Sequence, residues 1–174
     1  AGTGPGIRKH LDRHRFLTME ERYALGFSSP IGLLTLTGGG QAVTGLLFGD
    51  HVLGCPPCPL LERGVEELRE YFAGERRSFD LPLSPAGTDF QRLVWDALLT
   101  IPYGQTVSYG QLARRIGRPN ACRAVGMANH RNPISILVPC HRVVGADGSL
   151  TGYGGGLEKK RFLLELEQKA RAAR

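Results

Sequence analysis

The sequence predicts two parts: an α/β N-terminal domain in which a small antiparallel sheet packs with a helix, and a mainly α C-terminal domain containing a winged helix-turn-helix. Two apolar runs around a glycine-rich turn indicate a hairpin in the first half. Two short helical segments separated by a tight turn occur in the second half. The chain has 174 residues, 41% of them hydrophobic, so it can form a sizeable core.

The chain begins with a polar arm and continues with the hairpin. Residues 1–22 carry several basic residues and glycines without apolar periodicity, so we expect a tail. The runs 31–37 and 42–48 flank the turn Gly-Gly-Gly-Gln, which is the pattern of two antiparallel strands. A small sheet is therefore expected here.

A helix is predicted after the hairpin. Its apolar positions have the spacing of one helix face: Leu61, Val65, Leu68 and Phe72. Gly74 is placed to end this helix, and residues 23–80 form the expected N-terminal domain. Residues 81–87 include two prolines and are expected to form an extended linker.

A second domain is expected over residues 88–170. Thr88 followed by Gln91 has the form of a capping box, and the residues after it have helical apolar spacing. Ser108 and Gln111 form a second capping box, and Gly117 is placed to end the helix that they open.

A third helix is predicted over residues 121–129, with Asn120 as its N-cap, and with the preceding helix it has the form of a helix-turn-helix. It offers small residues, among them Ala121, Gly126 and Ala128, where base-reading helices usually carry long polar ones. A smooth surface of this kind suits close approach to a DNA backbone. The alternative is a pair of helices that only pack through small residues.

Positive charge is concentrated in the second half of the chain. The formal net charge is +6, and residues 91–174 contain 13 Lys or Arg against 5 Asp or Glu. Together with a helix-turn-helix, this surplus favours a polyanionic partner such as DNA over a merely solvated face.

A cysteine and a histidine are adjacent in the segment 139–143, Pro-Cys-His-Arg-Val, between two apolar runs. The proline before Cys140 indicates that its thiol lies at a bend. The ordinary alternative is a buried cysteine that only packs. A neighbouring imidazole can lower the pKa of a thiol or take its proton, so the pattern favours Cys140 as a nucleophile and His141 as its base.

A carboxylate that orients His141 would complete a triad. Glu167 follows Leu163 and Leu164 at helical spacing and is the candidate. Spacing alone slightly favours the alternative, in which the helix frays and Glu167 faces solvent.

The remaining cysteines give weaker signals. His51, Cys55 and Cys58 have the local form of a metal knuckle or a redox pair, but no second pair of ligands follows at zinc spacing. We therefore favour a loop with incidental thiols and no metal, with a zinc site as the alternative. No phosphate loop or dinucleotide motif is present, so no cofactor is expected. Without a membrane span or signal peptide in the sequence, we expect a cytoplasmic protein with reduced cysteines.

The chain resembles the O6-alkylguanine-DNA alkyltransferases. The shared motifs are Pro-Cys-His-Arg-Val at 139–143, Asn-Pro at 132–133, Arg-Ala-Val-Gly at 123–126, and Tyr153 with the glycines after it. The resemblance runs without gaps from about residue 87 to residue 167. It implies DNA repair by direct, stoichiometric and irreversible transfer of an alkyl group from O6-alkylguanine in duplex DNA to Cys140, with base flipping. O4-alkylthymine is implied as a secondary substrate.

The resemblance also assigns roles in the reaction. Glu167 corresponds to the carboxylate that partners His141, which reverses the preference from spacing. Tyr109 corresponds to the tyrosine that donates a proton to the departing guanine, and Arg123 to a finger that enters the base stack. Asn132 corresponds to the asparagine that ties the recognition helix to the strand bearing the cysteine.

Further positions are implied to bind the substrate. The carbonyls of Cys140 and Val143 would hold the exocyclic amine of guanine, and Lys160 matches a lysine near the active-site loop. Tyr153 and Gly154 belong to that loop, where many relatives have Ser in place of Gly154 and where we expect a mobile flap. Arg142 is expected to be structural, in a buried ion pair or bonded to backbone.

Two other functions remain as alternatives. A non-catalytic protein that binds alkylated DNA and recruits repair factors would lack the nucleophile, whereas Cys140 is present. A thiol hydrolase using the same triad fits poorly with adjacent Cys and His. We expect a monomer in solution that binds double-stranded DNA, and cooperative binding along DNA stays open.

Overall fold

The computed structural model describes residues 22–173, so the predicted tail lies almost wholly outside the described residues. The elements, labelled in chain order, are β1 (Tyr23–Ser29), β2 (Gly32–Gly38), β3 (Val43–Phe48), α1 (Pro59–Phe72), α2 (Asp89–Leu98), β4 (Val107–Ser108), α3 (Tyr109–Arg115), α4 (Cys122–His130), a 3₁₀ turn (Cys140–Arg142), β5 (Val143–Val144) and α5 (Leu157–Ala172).

The N-terminal sheet is antiparallel in the order β1-β2-β3. The sequence predicted only the two strands of the hairpin, and β1 was missed. Its residues, Tyr-Ala-Leu-Gly-Phe-Ser-Ser, do not alternate between apolar and polar, and glycine and serine are poor strand formers. Pairing with β2 along the whole of β1, with Leu25 opposite Leu36, holds this segment in the sheet.

The turn between β2 and β3 is irregular. The register shifts between Thr37 and Gly38, and at this turn β2 ends and β3 begins one residue later than predicted. A Cβ at Gly38 would lie 2.6 Å from the carbonyl oxygen of Ala42, so only glycine fits this close approach.

Helix α1 packs on the sheet with its predicted apolar face. Leu61 and Leu68 are fully buried in the same cluster as Leu34 and Leu36 of β2. Gly74 follows the helix with a φ of +78°, a conformation that favours glycine, and the predicted helix end is confirmed.

The C-terminal helices begin largely as the sequence predicted. Thr88 and Ser108 each accept a hydrogen bond from the backbone N–H three residues later, and both capping boxes are confirmed. The predicted N-cap at Asn120 is wrong. Ala121 donates its N–H to the carbonyl of Arg118 in a turn, so α4 begins one residue later than expected and has Ala121 at its N-cap.

The two halves share one packed core. The segment predicted as a linker lies along β3, where Val43 donates to the carbonyl of Pro82 and Ser84 donates to the carbonyl of Val43. Further along β3, Leu46 donates to the carbonyl of Pro133 at 2.9 Å.

Among the described residues, no helix has the length and apolar character needed to cross a membrane.

Candidate active site

Cys140 begins the 3₁₀ turn between the end of an apolar loop and β5, and its side chain is buried. Asn132 holds the loop that leads to it. The Asn132 side chain donates to the carbonyl of Val138 at 2.8 Å and accepts from the N–H of Ile134 at 3.0 Å. Asn132, which lies just after α4, therefore stabilises the loop that leads to the predicted bend at Pro139.

The Cys140 thiol is neutral at rest. Burial raises its pKa, and the nearby groups that oppose this rise, first Asn132 and then Lys160, do not overcome it. The sequence left two roles open for the adjacent imidazole, lowering the thiol pKa or taking the thiol proton, and His141 is not among the groups that lower the pKa of the resting thiol. A base must therefore remove the proton when the sulfur reacts.

His141 is fully buried and bonded to Glu167. The distance from His141 Nε2 to Glu167 Oε2 is 2.6 Å, while Nδ1 has no partner among the described residues. Burial is the largest influence on the imidazole and lowers its pKa, although Glu167 acts in the opposite direction. A neutral imidazole held through one nitrogen leaves the other free to accept a proton.

The Glu167 carboxylate binds more groups than the sequence indicated. Arg142 donates through Nε to Oε1 at 2.8 Å and through Nη2 to Oε2 at 3.1 Å, and the N–H of Gly104 reaches Oε1 at 3.0 Å. Although burial opposes ionisation, hydrogen bonds and charge from His141 and Arg142 hold the carboxyl pKa far below its usual range. Glu167 is therefore a buried carboxylate ion.

Arg142 has the structural role that was expected of it. Besides Glu167, its guanidinium donates through Nη1 to the carbonyl of Ile101 at 2.7 Å. The arginine thus joins α5 to the loop after α2.

Tyr71 of α1 also reaches this carboxylate, and the sequence analysis missed it. Its hydroxyl donates to Glu167 Oε2 at 2.6 Å across 96 positions of the chain. Tyr71 lies three residues after Leu68, so the apolar spacing of α1 could have placed it on the buried face. Nothing in that spacing indicated its partner.

Lys160 is buried beside the same loop. Its ammonium donates to the carbonyl of Val143 at 2.6 Å and to the carbonyl of Thr151 at 2.7 Å. Burial lowers the pKa of Lys160 to about 8. The lysine thus ties α5 to β5 and to the start of the glycine-rich loop.

The glycine-rich loop is anchored at Tyr153 and open at Gly154. The Tyr153 ring is buried and meets Phe48 edge to face at 5.8 Å between centroids. Gly154 is exposed, and a Cβ there would meet no atom within 4 Å. A serine side chain therefore fits at this position without displacing its neighbours.

Tyr109 and Arg123 lie on neighbouring helices of the helix-turn-helix. Tyr109 is the first residue of α3, its hydroxyl accepts from Thr151 Oγ1 at 3.0 Å, and its ring packs beside Gly126. Arg123 lies in the first turn of α4 and is exposed. Several other arginines of this region are also exposed: Arg114, Arg115, Arg118 and Arg131.

One residue expected on the DNA-facing surface is not there. Ala128 is buried, and its carbonyl accepts a hydrogen bond from Trp95 Nε1 at 2.8 Å, so it faces α2 and the core. The expectation that Ala128 contributes to the smooth outer surface of this helix is therefore wrong. Ala121 and Gly126 are partly exposed on the same helix.

The described residues 22–173 contain no group of three or more His, Cys, Asp or Glu side chains that could hold a metal ion. His51 Nε2 lies 3.0 Å from the carbonyl of Phe48, and Cys58 is buried at the N-cap of α1. These contacts give the two residues local structural roles.

The fold and the site together define a helix-turn-helix protein in which a buried cysteine, Cys140, is followed directly by a buried His141–Glu167 pair. Comparison with known proteins identifies the family. Residues 89–169 match the 6-O-methylguanine DNA methyltransferase DNA-binding domain, and residues 22–85 match the ribonuclease-like domain of the same proteins. The chain belongs to the 6-O-methylguanine DNA methyltransferase family.

Individual relatives agree with this assignment. A methylated-DNA–protein-cysteine methyltransferase of Mycobacterium tuberculosis H37Rv is 55% identical over 146 residues, which cover 80% of this chain and 88% of the relative. One from Methanosarcina acetivorans is 50% identical over 155 residues, covering 83% and 97%. The crystal structure of M. tuberculosis OGT in complex with DNA matches with a TM-score of 0.80 and 53% identity, covering 85% of this chain and 94% of that one. The predicted family and fold class are confirmed.

Proposed function

We propose that this protein repairs DNA by accepting an alkyl group from guanine O6 onto the sulfur of Cys140. The main supporting observation is the buried Cys140 directly before His141, which is bonded through Nε2 to Glu167 at 2.6 Å and whose Nδ1 has no partner among residues 22–173. The two relatives described above, from M. tuberculosis and M. acetivorans, are both named methylated-DNA–protein-cysteine methyltransferases, which supports the same reaction.

The reaction is an in-line displacement at the alkyl carbon. The Cys140 thiol proton passes to His141, the sulfur–carbon bond forms, and the carbon–O6 bond breaks with its electron pair moving onto the guanine. The proton finally neutralises the guanine anion. The product is a thioether, which is not readily reversed, so each molecule acts once.

Glu167 keeps the imidazole oriented and stabilises its charged form after proton transfer. The low proton affinity of buried His141 suits this role, because the base is neutral at the start and ready to return the proton.

Tyr109 is proposed to assist guanine departure by donating its hydroxyl proton to the ring, and the proton that His141 took from the thiol then replaces the one lost by the tyrosine. Its hydroxyl lies beside Thr151, whose carbonyl also accepts from Lys160, so tyrosine, lysine and loop are within one hydrogen-bonded group. The carbonyl of Val143 is proposed to accept from the exocyclic amine of guanine. It already accepts from Lys160, and a carbonyl oxygen has a second lone pair for the base.

Duplex DNA is the proposed partner, bound by the helix-turn-helix. Arg123 is proposed to enter the base stack when the alkylated nucleotide flips outward, supported by its exposure in the first turn of α4. The exposed arginines nearby offer charge to phosphates. The domain boundaries, a monomeric state and action in the cytoplasm remain predictions.

The non-catalytic alternative is not favoured, because Cys140 and its base are present together. A peptide hydrolase is likewise not supported by the family.

Transfer of label tests the proposal. The purified protein is mixed with duplex DNA that carries radiolabelled O6-methylguanine, and label on protein is counted. We expect at most one equivalent on the unsubstituted chain and none on Cys140→Ser, which still binds DNA. Cys122→Ser is the matched control, because Cys122 is an exposed thiol on α4, and it should accept label normally. Undiminished transfer by Cys140→Ser would overturn the assignment.

A further inference from the structure

A side chain of α1, in the N-terminal half, reaches the buried His141–Glu167 pair. The Tyr71 ring is fully buried, and its hydroxyl lies 2.6 Å from Glu167 Oε2. The same oxygen lies 2.6 Å from His141 Nε2. Two short hydrogen bonds, one from each half of the chain, therefore converge on one carboxylate atom.

Tyr71 is not needed to hold the carboxylate in place. Arg142 engages both oxygens of Glu167, and the N–H of Gly104 engages Oε1. With these bonds intact, the Glu167 side chain keeps its position when the tyrosine hydroxyl is removed. What the hydroxyl adds is a third hydrogen-bond donor on Oε2, beside His141 Nε2 and Arg142 Nη2.

A hydrogen bond to a charged acceptor draws electron density toward the donor and weakens that acceptor toward its other partners. We propose that Tyr71 is a positioning residue for the alkyl transfer, which limits how strongly Glu167 holds the proton of His141 by sharing the Oε2 atom. The inference rests on the proposed function for its role in the reaction. Its effect on His141 itself can be measured without any reaction.

The charged and titratable groups around His141 come from five segments, and together with burial they set its proton affinity. They are Glu167 and Lys160 of α5, Arg142 and Cys140 of its own turn, Tyr71 of α1, Tyr103 of the loop after α2 and Tyr153 of the glycine-rich loop. Glu167 favours the imidazolium, and Arg142 and Lys160 oppose it. The Tyr71 hydroxyl bonds to Glu167, which is the member of this set that raises the pKa of His141.

The direction of the effect follows from this arrangement. Removing the hydroxyl leaves more negative charge on Oε2, so the imidazolium is stabilised and the pKa of His141 rises. The neutral base is then lost at a higher pH than in the unsubstituted protein. The acid limb of the transfer rate should move upward with it.

Tyr103 provides a matched control. Its ring meets the Tyr71 ring edge to face at 6.2 Å between centroids and lies under the Arg142 guanidinium, but its buried hydroxyl has no partner among the described residues. Tyr103→Phe therefore removes a neighbouring hydroxyl without touching Glu167.

The test follows the ¹⁵N shifts of the His141 ring against pH in Tyr71→Phe, Tyr103→Phe and the unsubstituted protein, with His141→Gln used to assign the signal. We expect a rise on the order of 0.5 pH unit in Tyr71→Phe and no change in Tyr103→Phe. The transfer rate from O6-methylguanine duplex should show the same displacement of its acid limb.

A second substitution tests the opposite direction. Tyrosine fluorinated beside its hydroxyl is a stronger donor and nearly the same size, so at position 71 it should lower the pKa of His141. This variant decides the matter if Tyr71→Phe does not fold. An unchanged His141 titration in the variants at position 71, or equal shifts in Tyr71→Phe and Tyr103→Phe, would overturn the inference.

Failure of the proposed function would look different. The unsubstituted protein would then transfer no label at any pH, while the His141 titration would still report whether Tyr71 acts on the imidazole.

Discussion

At the scale of single residues, the Glu167 carboxylate is the acceptor that holds the buried site together. Tyr71, Gly104, His141 and Arg142 all contact its two oxygens. A buried carboxylate is stable only when its charge is paired and its lone pairs are satisfied, and both conditions are met here. The same contacts leave Arg142 dependent on Glu167.

Glu167→Gln should therefore be strongly destabilising. It leaves the buried Arg142 without its counter-charge, and loss of one member of a buried pair costs about 3 kcal/mol or more. Urea unfolding followed by Trp95 fluorescence gives the free energy of unfolding. Glu165→Gln, on the exposed side of the same helix, should change it by less than about 0.5 kcal/mol. Equal stability of the two variants would contradict the buried ion pair.

Stability should also fall as the pH drops from 7 to 4. The pKa of His141 is lowered in the folded protein, so the unfolded chain binds the proton first below about pH 6.5. The pKa of Glu167 is lowered as well, so its contribution is present above its unfolded pKa of about 4.3 and is lost as the pH falls through and below that value. Both groups therefore lower the free energy of unfolding as the pH falls.

Urea midpoints at several pH values measure this decline. His141→Gln should flatten the part between about pH 6.5 and 5, where the imidazole dominates. His130→Gln, an exposed histidine at the end of α4, should retain the slope. Identical slopes in all three proteins would show that His141 does not cause the decline.

At the scale of elements, the helix-turn-helix combines two short helices, of which only the first has a side-chain cap, with an exposed arginine. Helix α3 has a complete capping box, whereas α4 begins at Ala121 without a side-chain cap. Gly126 of α4 lies beside the Tyr109 ring of α3, and a Cβ at this position would lie 3.7 Å from the ring, an ordinary van der Waals contact. The small residues of α4 therefore serve both packing, as at Ala128, and the outer surface.

Arg123→Ala should slow transfer from duplex DNA more than from the free alkylated base, because only the duplex needs base flipping. Arg131→Ala removes the same charge at the other end of α4 and provides the control. Single-turnover rates on both substrates at matched saturation separate flipping from binding. If Arg123→Ala slowed both substrates equally, it would have no finger role.

At the scale of the whole molecule, the core does not divide at the predicted linker. Leu34 and Leu36 of the sheet and Val94 and Leu98 of α2 belong to one buried cluster. Hydrogen bonds from β3 reach Pro82 on one side and Pro133 on the other. The sheet and the helices should therefore unfold together.

Leu34→Ala tests this cooperativity. The side chain is fully buried in β2, and its truncation should cost about 2 to 5 kcal/mol. Because Trp95 of α2 is the only tryptophan, its fluorescence reports the C-terminal half alone. We expect its thermal midpoint to fall by several degrees, and by much less in Leu33→Ala, where the side chain is 41% exposed. An unchanged Trp95 midpoint in Leu34→Ala would mean that the halves unfold independently.

The sequence by itself determined the features that are local or chemically specific. Capping boxes at Thr88 and Ser108, the end of α1 near Gly74 and the family all followed from residue types at short spacing. Such features can be predicted from sequence because a cap or a turn involves atoms only a few positions apart. The adjacent Cys140 and His141 belong to the same kind of signal.

Only the tertiary structure decided what depends on distant partners. Strand β1 forms because β2 offers a ladder, the Cys140 thiol is neutral because the fold buries it, and Ala128 faces Trp95 rather than solvent. The contact of Tyr71 with Glu167 joins positions 96 residues apart, and no periodicity along one helix specifies a partner on another. Burial and convergence on a shared carboxylate are properties of the packed chain, so they appear only when it is folded.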